Sequence, residues 1–230
     1  MTQDGARPLA VVTGASAGLG AAFARALAVR NYDLVLVARR KDRLEALLAE
    51  LSQQHGITGV CVGADLSLPE AHVPVVEALT AQGRDAAMLV NNAGYSLPQT
   101  FMGTDWNAQR DFIMTLVMAV CGLTHALLPG LIKNGGGKII MLGSMAGLSP
   151  GGAGHTLYPA AKSFVNKFAL SLDAELRGKG IKVTCVNPGV TDTEFQAANG
   201  TQDVMSKAPR MFRMSAEDVV AQTLRANDDG

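Results

Sequence analysis

Short apolar runs alternate with stretches of helical periodicity along the chain, and this alternation constrains the fold more than any other feature. Runs rich in valine, isoleucine and leucine are predicted as buried strands. They are Leu9–Val12, Asp33–Ala38, Val60–Ala64, Met88–Val90, Lys138–Leu142 and Ile181–Val186. Because strands separated by helices are joined by crossovers, they are expected to run parallel, with helices on both faces. The sequence therefore predicts an α/β protein with a doubly wound parallel sheet.

The helices between these strands are marked by apolar spacing and by capping residues. Lys41–Gln54 is predicted as a helix, and Ser67 is predicted to cap another that starts at Pro69. The stretch Phe112–Ile132 has no charged residue and is long enough to span a bilayer. Glycine, proline and threonine dilute its apolarity, so a long helix buried against the sheet or a partner subunit is favoured over a membrane span. Ser215 is predicted to cap a last short helix.

Composition limits the classes of protein that fit. With 230 residues, 48% of them hydrophobic and 17% charged, the chain is expected to form one globular domain over residues 1–230. A formal net charge of zero argues against a nucleic-acid or anionic-membrane partner. The three cysteines lie far apart in apolar runs, which favours reduced thiols and a cytoplasmic protein. The four histidines show no metal-ligand spacing, so no metal site is predicted.

A glycine-rich turn, Thr13–Gly20, joins the first predicted strand to a stretch of helical spacing. Such a turn lets the backbone approach a phosphate closely, and the helix N-terminus supplies free N–H groups and a positive dipole end. The glycines stand at Gly14, Gly18 and Gly20, which is not the common G-x-G-x-x-G spacing. A turn required for packing alone is the alternative.

The second predicted strand is followed by two arginines, Arg39 and Arg40. An acidic residue at this place would bind a ribose 2′-hydroxyl, as in NAD sites, whereas arginine suits the 2′-phosphate of NADP. The alternative is a solvated charge pair at the start of the next helix, and the nearby Asp42 weakens the distinction. The sequence favours NADP.

A tyrosine and a lysine four residues apart, Tyr158 and Lys162, share one face of a predicted helix. A phenol titrates near ~10, and an adjacent ammonium is expected to lower that pKa. A tyrosine tuned in this way can exchange a proton with an alcohol or carbonyl oxygen, and Ser144 could hold the same oxygen. By itself the pair also fits an ordinary contact on a solvated helix face.

Polar residues stand where the predicted strands end, and ligands of open parallel sheets bind at that edge. These residues are Thr13, Arg39, Asp65, Asn91, Ser144 and Pro188. The loop Tyr95–Phe101 is apolar and predicts either packing or one wall of a substrate pocket. The stretch Val190–Arg213 has little periodicity, which fits a lid over the site or an irregular surface loop.

Taken together, these residues resemble the classical type of the short-chain dehydrogenase/reductase family over nearly the whole chain. The resemblance rests on Thr13-Gly14-x-x-x-Gly18-x-Gly20, Asn91-Asn92-Ala93-Gly94, Ser144, Tyr158, Lys162 and Pro188-Gly189, in the family's order and spacing. It implies a single Rossmann-type domain and an NADP(H)-dependent oxidoreductase. Such an enzyme moves hydride between the cofactor and a carbonyl or secondary alcohol of a largely apolar small molecule.

The resemblance also implies roles for individual residues. Tyr158 would be the general acid/base, Ser144 would hold the substrate oxygen, and Lys162 would tune Tyr158 and bind the nicotinamide ribose. The implied cofactor contacts, besides Tyr158 and Lys162, are Gly14, Ser16, Gly18, Leu19, Gly20, Arg39, Arg40, Asp65, Leu66, Asn92, Ala93, Gly94, Pro188, Gly189, Thr191 and Thr193. Arg39 occupies the position that marks members preferring NADP(H).

The chain departs from the family pattern in two places. The family usually has a catalytic asparagine in the long fourth helix, where this sequence has Leu116 or its neighbours, and leucine forms no hydrogen bond. The chain also ends at Gly230, where family members usually add a strand that builds a dimer contact. A trimmed chain and a sheet without that strand are both open.

Three functions remain as hypotheses. The first is the NADP(H)-dependent oxidoreductase; the second is a weak or inactive cofactor-binding regulatory or scaffold protein, suggested by Leu116. The third is another Rossmann-type enzyme, such as a methyltransferase, which would give Tyr158 and Lys162 no role. A homodimer or homotetramer is predicted through the long fourth helix and the Tyr158 helix, because their apolar length exceeds what one sheet face needs to cover.

Overall fold

The computed structural model describes residues 6–97, 99–154, 156–192 and 213–229. Its centre is a six-stranded parallel sheet in the order β3-β2-β1-β4-β5-β6. The strands are β1 Leu9–Thr13, β2 Asp33–Ala38, β3 Gly59–Gly63, β4 Met88–Asn91, β5 Gly137–Leu142 and β6 Ile181–Val186. This order reverses between β1 and β4, which defines the doubly wound fold. The predicted fold class is confirmed, and each strand lies within one residue of its expected bounds.

Helices cover both faces of this sheet. They are α1 Gly18–Val29, α2 Lys41–His55, α3 Val73–Ala81, α4 Trp106–Ile113, α5 Ala119–Lys133, α6 Leu157–Leu176 and α7 Ala216–Asp229. A wider π-helical segment, Met114–Met118, joins α4 to α5 without a break, and a 3₁₀ turn, Met145–Leu148, precedes α6. A second 3₁₀ turn, Arg177–Lys179, follows α6.

The first strand shows why the sheet has two cores. All five residues of β1 are buried, and successive side chains point to opposite faces. Ala10 and Val12 join the core on the side of α1, α2 and α7. Leu9 and Val11 join the core on the side of α3 and α5. Because both faces are covered, β1 is a continuous apolar run rather than an alternating one.

Glycines end the helices that lead into β5 and β6. Gly135 follows the last turn of α5 with φ 78°, and Gly180 follows the 3₁₀ turn after α6 with φ 72°. A side chain is strained in this left-handed region, so glycine is the natural end of each helix. The long helix and the 3₁₀ turn after α6 thus both end next to a glycine with positive φ.

The predicted start of the third helix is wrong. Helix α3 begins at Val73, and not at Pro69. The Asp65 carboxylate accepts hydrogen bonds from both the backbone N–H and the hydroxyl of Ser67, at 2.9 and 2.7 Å. Asp65 and Ser67 therefore close a turn, and residues 66–72 form turns and a bend before the helix starts.

The continuous helix Trp106–Lys133 is long and apolar enough to cross a membrane by length and composition alone. Its best 18-residue window has a mean hydropathy of 1.9, and 39% of that window is buried within the protein. Asp105 caps the helix by accepting from the N–H of Asn107 at 2.8 Å. One side of this helix packs on the sheet and on α6, as the core helix of a globular domain does.

A short parallel pair of strands lies apart from the main sheet. Strand β7, Val190–Asp192, pairs with β8, Arg213–Ser215, and α7 follows β8 directly. The Ser215 hydroxyl accepts from the N–H of Asp218 at 3.0 Å, so the predicted cap of the last helix is confirmed. Asp228, near the end of α7, pairs with Arg30 at 2.7 Å and with Lys138, which ties α7 to α1 and β5.

Candidate active site

Thr13 and Asn92 connect the ends of two neighbouring strands, β1 and β4. The Thr13 hydroxyl donates to the carbonyl of Val90 and accepts from the N–H groups of Asn92 and Ala93, at 2.9 and 3.1 Å. The Asn92 amide donates to the carbonyl of Thr13 at 2.8 Å. These bonds hold the turn after β1 against the loop after β4, at the point where the strand order reverses.

The glycine-rich turn is packed too tightly for side chains. A Cβ on Gly20 would lie 2.2 Å from the carbonyl oxygen of Gly14, and one on Gly14 would lie 2.9 Å from the Cα of Ala93. Gly14 and Gly18 also have φ of 66° and 53°, a conformation that suits glycine. Ala17, which precedes α1, offers no side-chain acceptor to the first N–H groups of the helix. The turn therefore has the free donors and the close backbone approach that a pyrophosphate requires.

Arginines and one carboxylate lie at the ends of β2 and β3. Arg40 donates to the Ser16 hydroxyl at 3.2 Å, which brings it to the glycine-rich turn. The backbone hydrogen bond from Ser67 lowers the pKa of Asp65 against the opposing effect of burial, and the charge of Arg39 contributes to the same lowering. Both arginines are exposed, and the Leu66 side chain is buried in the core on the side of α3 and α5.

Three hydrogen bonds join the loop after β5 to the end of β6. The N–H of Gly143 donates to Val186 at 2.9 Å, and the N–H of Met145 donates to Pro188 at 3.1 Å. Between them, the N–H of Ser144 donates to the side-chain oxygen of Asn187 at 2.9 Å. This arrangement places Pro188 beside the Ser144 loop, as the motif spacing implied.

Tyr158 and Lys162 face the same loop from helix α6. The side chains of Ser144 and Tyr158 are hydrogen-bonded to each other. The Lys162 ammonium donates to the carbonyl of Leu142 at 2.6 Å and lies 5.8 Å from the centre of the Tyr158 ring. A Cβ on Gly147 would lie 2.6 Å from the carbonyl carbon of Lys162, so the loop packs directly on α6. The three predicted catalytic side chains therefore meet in one place.

Burial dominates the protonation of this group. Burial raises the pKa of Tyr158 above its ordinary value, and the hydrogen bond to Ser144 lowers it only in part. The expected lowering by the lysine is therefore wrong for the protein without ligand. Burial lowers the pKa of Lys162 to about 8, with a small opposing effect of the Cys185 thiol. A buried cation is costly when no anion lies beside it.

Leu116 lies inside the π-helical segment and points at the same centre. It is only 1% exposed, and its Cγ lies 3.6 Å from the place where a Cβ on Gly94 would be. The Lys162 ammonium lies 3.8 Å from that same point. Leu116 and the Lys162 ammonium therefore both lie next to Gly94, and an apolar side chain stands where the resemblance implies an asparagine.

Aromatic rings line the other side of Tyr158. Phe112 packs edge-on against Tyr95 with ring centres 5.4 Å apart, and its centre lies 6.5 Å from that of Tyr158. Burial, more than the charge of Asp111, raises the pKa of Tyr95. Leu97 joins the same apolar cluster, whereas Phe101 is half exposed. Tyr95 and Leu97, at the start of the Tyr95–Phe101 loop, thus pack in the same apolar cluster as Tyr158.

The structure brings most of the predicted cofactor residues to the carboxyl edge of the sheet, as described above. Gly189 follows Pro188 directly, and Thr191 lies in β7. Thr193 lies outside the described residues. The sequence prediction missed Asn187 as a site residue, although its place beside Pro188-Gly189 was a usable signal. Within the described part of the chain, no group of three histidine, cysteine, aspartate or glutamate side chains could hold a metal ion.

A doubly wound parallel sheet with a glycine-rich turn at the reversal of strand order, a buried lysine and a tyrosine beside a serine is an arrangement that suits a nucleotide-dependent oxidoreductase. A family model described as short chain dehydrogenase matches residues 8–203. The chain belongs to the short-chain dehydrogenase family. The predictions of this family and of a dehydrogenase or reductase are confirmed.

Individual relatives agree with this assignment. Sulfoacetaldehyde reductase 2 of Chromohalobacter salexigens is 36% identical over 217 residues, which cover 92% of this chain and 84% of that protein. A short-chain dehydrogenase from Sphingobium yanoikuyae, solved with NADPH, has a TM-score of 0.88 at 33% identity and covers 96% of this chain and 84% of its own. L-sorbose reductase from Gluconobacter frateurii, solved with NADPH and L-sorbose, has a TM-score of 0.85 at 30% identity, with 96% and 90% covered.

Proposed function

We propose that this protein is an NADP(H)-dependent oxidoreductase that interconverts a carbonyl and a secondary alcohol on a largely apolar small molecule. One observation carries the proposal: the Tyr158 hydroxyl is hydrogen-bonded to Ser144 while the Lys162 ammonium is buried beside the same ring. A proton donor, a second hydroxyl and a cation therefore converge on one point, which suits the oxygen of a carbonyl group.

Each of the three side chains has a distinct part in this proposal. Tyr158 gives its proton to the carbonyl oxygen during reduction and takes it back during oxidation, and its raised pKa keeps it protonated at neutral pH. Ser144 holds the same oxygen with a hydrogen bond. Lys162 stabilises charge on Tyr158 and binds a ribose hydroxyl of the cofactor. The nicotinamide supplies or accepts the hydride when it is bound.

The dinucleotide would lie across the carboxyl edge of the sheet, from the glycine-rich turn to the Pro188 segment. The N-terminus of α1 favours an anion, and Gly14 and Gly20 leave room for the pyrophosphate. Arg39 and Arg40 are exposed beside the turn, where a 2′-phosphate would bind, so NADP(H) is proposed over NAD(H). NADPH in the solved relatives from Sphingobium and Gluconobacter supports this choice.

The substrate would enter over an apolar rim. Met145 and Leu148, directly after Ser144, are large apolar side chains with 54% and 60% of their surface exposed. Tyr95 and Leu97 form the opposite wall beside Tyr158. Such surroundings favour an uncharged small molecule with apolar groups next to the carbonyl.

A cytoplasmic homodimer or homotetramer completes the proposal. The π-helical segment that leads into α5 exposes Met118 at 53%, and α6 exposes Leu170 at 65%. Burial of these faces between two copies would remove them from water. Light scattering at micromolar concentration is the measurement that checks this, and a monomer would contradict it.

The decisive test is oxidation of NADPH, and separately of NADH, by the purified protein against a panel of aldehydes and ketones. The expected result is turnover with NADPH that falls at least about 100-fold in Tyr158→Phe, because that variant lacks the proton donor. The variant should bind NADPH as tightly as the unaltered protein, measured by the fluorescence of the bound cofactor.

A second candidate is a weak or inactive cofactor-binding regulatory or scaffold protein. It is favoured by Leu116, a buried apolar side chain that lies beside Gly94, as Lys162 does, at the place of the family's asparagine. Tight NADPH binding without turnover of any panel member would favour this candidate.

A further inference from the structure

We propose that Asn187 is a positioning residue, which holds the Ser144 hydroxyl in place through the Ser144 backbone. The inference rests on the proposed function, in which the Ser144 hydroxyl binds the substrate oxygen. No implied contact of the family resemblance includes Asn187. The residue directly follows β6, and Ser144 follows the neighbouring strand β5.

The argument begins with the hydrogen bonds that continue the β5–β6 pairing beyond the strand ends. On either side of Ser144, the N–H groups of Gly143 and Met145 donate to backbone carbonyls of the β6 side. The N–H of Ser144 instead donates to the side-chain oxygen of Asn187, at 2.9 Å. An N–H group left unpaired in a buried place is costly, so this side chain fixes the backbone of Ser144.

The neighbouring glycine supports the same conclusion. A Cβ on Gly143 would lie 2.2 Å from the side-chain oxygen of Asn187, too close for any side chain. Gly143 is therefore needed so that the asparagine can lie across the loop and reach the next N–H group. The two residues form a matched pair with Ser144 as the held residue.

The hydroxyl of Ser144 is held from its other end. It accepts from the N–H of Ala146 at 3.2 Å and is hydrogen-bonded to Tyr158. When both the backbone and the hydroxyl are held, Ser144 keeps one position toward the substrate oxygen. A displacement of about 1 Å at such a group costs about 100-fold in rate, so loss of the Asn187 bond should lower kcat.

Asn187 also links this geometry to the cofactor side of the site. The next residue, Pro188, accepts the hydrogen bond from Met145, and Pro188-Gly189 belongs to the segment proposed for the nicotinamide end. The same short segment therefore sets both the Ser144 loop and one wall of the cofactor site.

The test compares two substitutions of similar size. Asn187→Leu removes the acceptor, whereas Asn187→Asp retains an oxygen at the same distance from the backbone. We expect Asn187→Leu to lower kcat about 10- to 100-fold with little change in NADPH affinity. Asn187→Asp should retain most of the kcat of the unaltered protein. Asn134→Leu is the control, because the Asn134 side chain also bonds a loop backbone, in this case by donating to the carbonyl of Ala86 at the opposite end of the sheet.

A double-mutant cycle separates positioning from general damage. If Asn187 acts through Ser144, then Asn187→Leu should cost almost nothing further in a Ser144→Ala background. Fully additive losses in kcat would overturn the proposal, since they would mean that the asparagine acts elsewhere.

Hydrogen exchange gives a measurement that does not depend on turnover. Without added cofactor, the Ser144 amide of Asn187→Leu should exchange about 10-fold faster than that of the unaltered protein. The Ser144 amide of Asn187→Asp should exchange about as slowly as that of the unaltered protein. Unchanged exchange would overturn the positioning role even if no substrate is found. If exchange is faster in Asn187→Leu but the unaltered protein turns over no substrate, the Asn187–Ser144 hydrogen bond is supported. Only the proposed function is then contradicted.

Discussion

The two halves of the candidate site are built in different ways. The half that would hold the dinucleotide is mainly backbone, the turn at Gly14–Gly20 and the free end of α1, and the Thr13 hydroxyl braces that turn. The half that would carry the chemistry is made of side chains from two elements, with Ser144 after β5 and both Tyr158 and Lys162 on α6.

The difference concerns what each half tolerates. A backbone site depends on the absence of side chains, so its weak point is added volume. A site of buried polar side chains depends on exact partners, so its weak point is a changed charge or a lost hydrogen bond. If this contrast is correct, the two halves can be damaged independently, with binding and turnover as separate measures.

The largest effect is expected at Lys162. Lys162→Met should lower kcat about 1,000-fold, because the cation that stabilises charge on Tyr158 is removed. NADPH affinity should fall far less, because the phosphate contacts lie in the other half. Lys167→Met is the control, since Lys167 is exposed on the same helix. Equal losses in binding and in kcat would contradict independent halves.

The same substitution predicts a stability change that depends on pH. The pKa of Lys162 is about 8 in the folded protein and near ~10.4 in an unfolded chain, so the unfolded state binds more protons between these values. The folded protein should therefore gain about 1–2 kcal/mol of unfolding free energy from pH 7 to pH 9.5, relative to Lys162→Met. Urea unfolding at both pH values checks this, and parallel pH dependence of the two proteins would contradict it.

A methyl group at Gly20 should damage the cofactor half. Gly20→Ala places a Cβ against the carbonyl of Gly14, so the turn must shift, at a cost of about 1–3 kcal/mol. NADPH affinity should fall about 10- to 100-fold, as measured by cofactor fluorescence. Gly178→Ala is the control, because a Cβ there meets no atom within 4 Å. Unchanged affinity in Gly20→Ala would show that the turn does not hold the cofactor.

A smaller effect is expected at the exposed arginine pair. Arg39→Ser should weaken NADPH binding about 10-fold and leave NADH binding nearly unchanged, because only NADPH has the 2′-phosphate. Titration of both cofactors measures the ratio, with Arg225→Ser on α7 as a charge-matched control. An equal loss for both cofactors would contradict the proposed preference for NADP(H).

The smallest effect is expected at Leu116. Leu116→Asn should change kcat by less than about 10-fold, upward if the missing polar group slows proton transfer to Tyr158. Leu116→Ala is the control, because it removes volume without adding a polar group. A gain well above 10-fold in the asparagine variant alone would favour the weak-enzyme candidate and place the limiting step in the catalytic half.

The sequence predicted the backbone half and the strands well, for a physical reason. Strands buried on both faces, such as Leu9–Thr13 and Asp33–Ala38, must be apolar throughout, and tight turns require glycine. These requirements act on adjacent residues, so they can be recognised in a short stretch of sequence. The pairing of Tyr158 with Lys162 was predicted from their helical spacing, whereas the assigned roles of these two residues and Ser144 came from the family resemblance.

Contacts between distant residues could not be predicted in the same way. Ser67 was expected to cap a helix, but it lies in a turn with Asp65, and α3 starts only at Val73. The pKa of Tyr158 was expected to fall, but burial by the surrounding cluster raises it. The bond from Ser144 to Asn187 spans 43 positions of sequence and depends on the pairing of β5 and β6. Such outcomes depend on competition among partners that only the folded chain brings together.

The short β7–β8 pair has a consequence for the evolution of this fold. Val190 pairs with Arg213 and Asp192 pairs with Ser215, so the two short strands that flank the intervening stretch are held side by side. The entropy of closing a loop grows slowly with its length, so stretches of other lengths could be exchanged between these strands at little cost to the sheet. The pair thus acts as a fixed insertion point, through which descendants of one scaffold could diverge in sequence while the core stays constant.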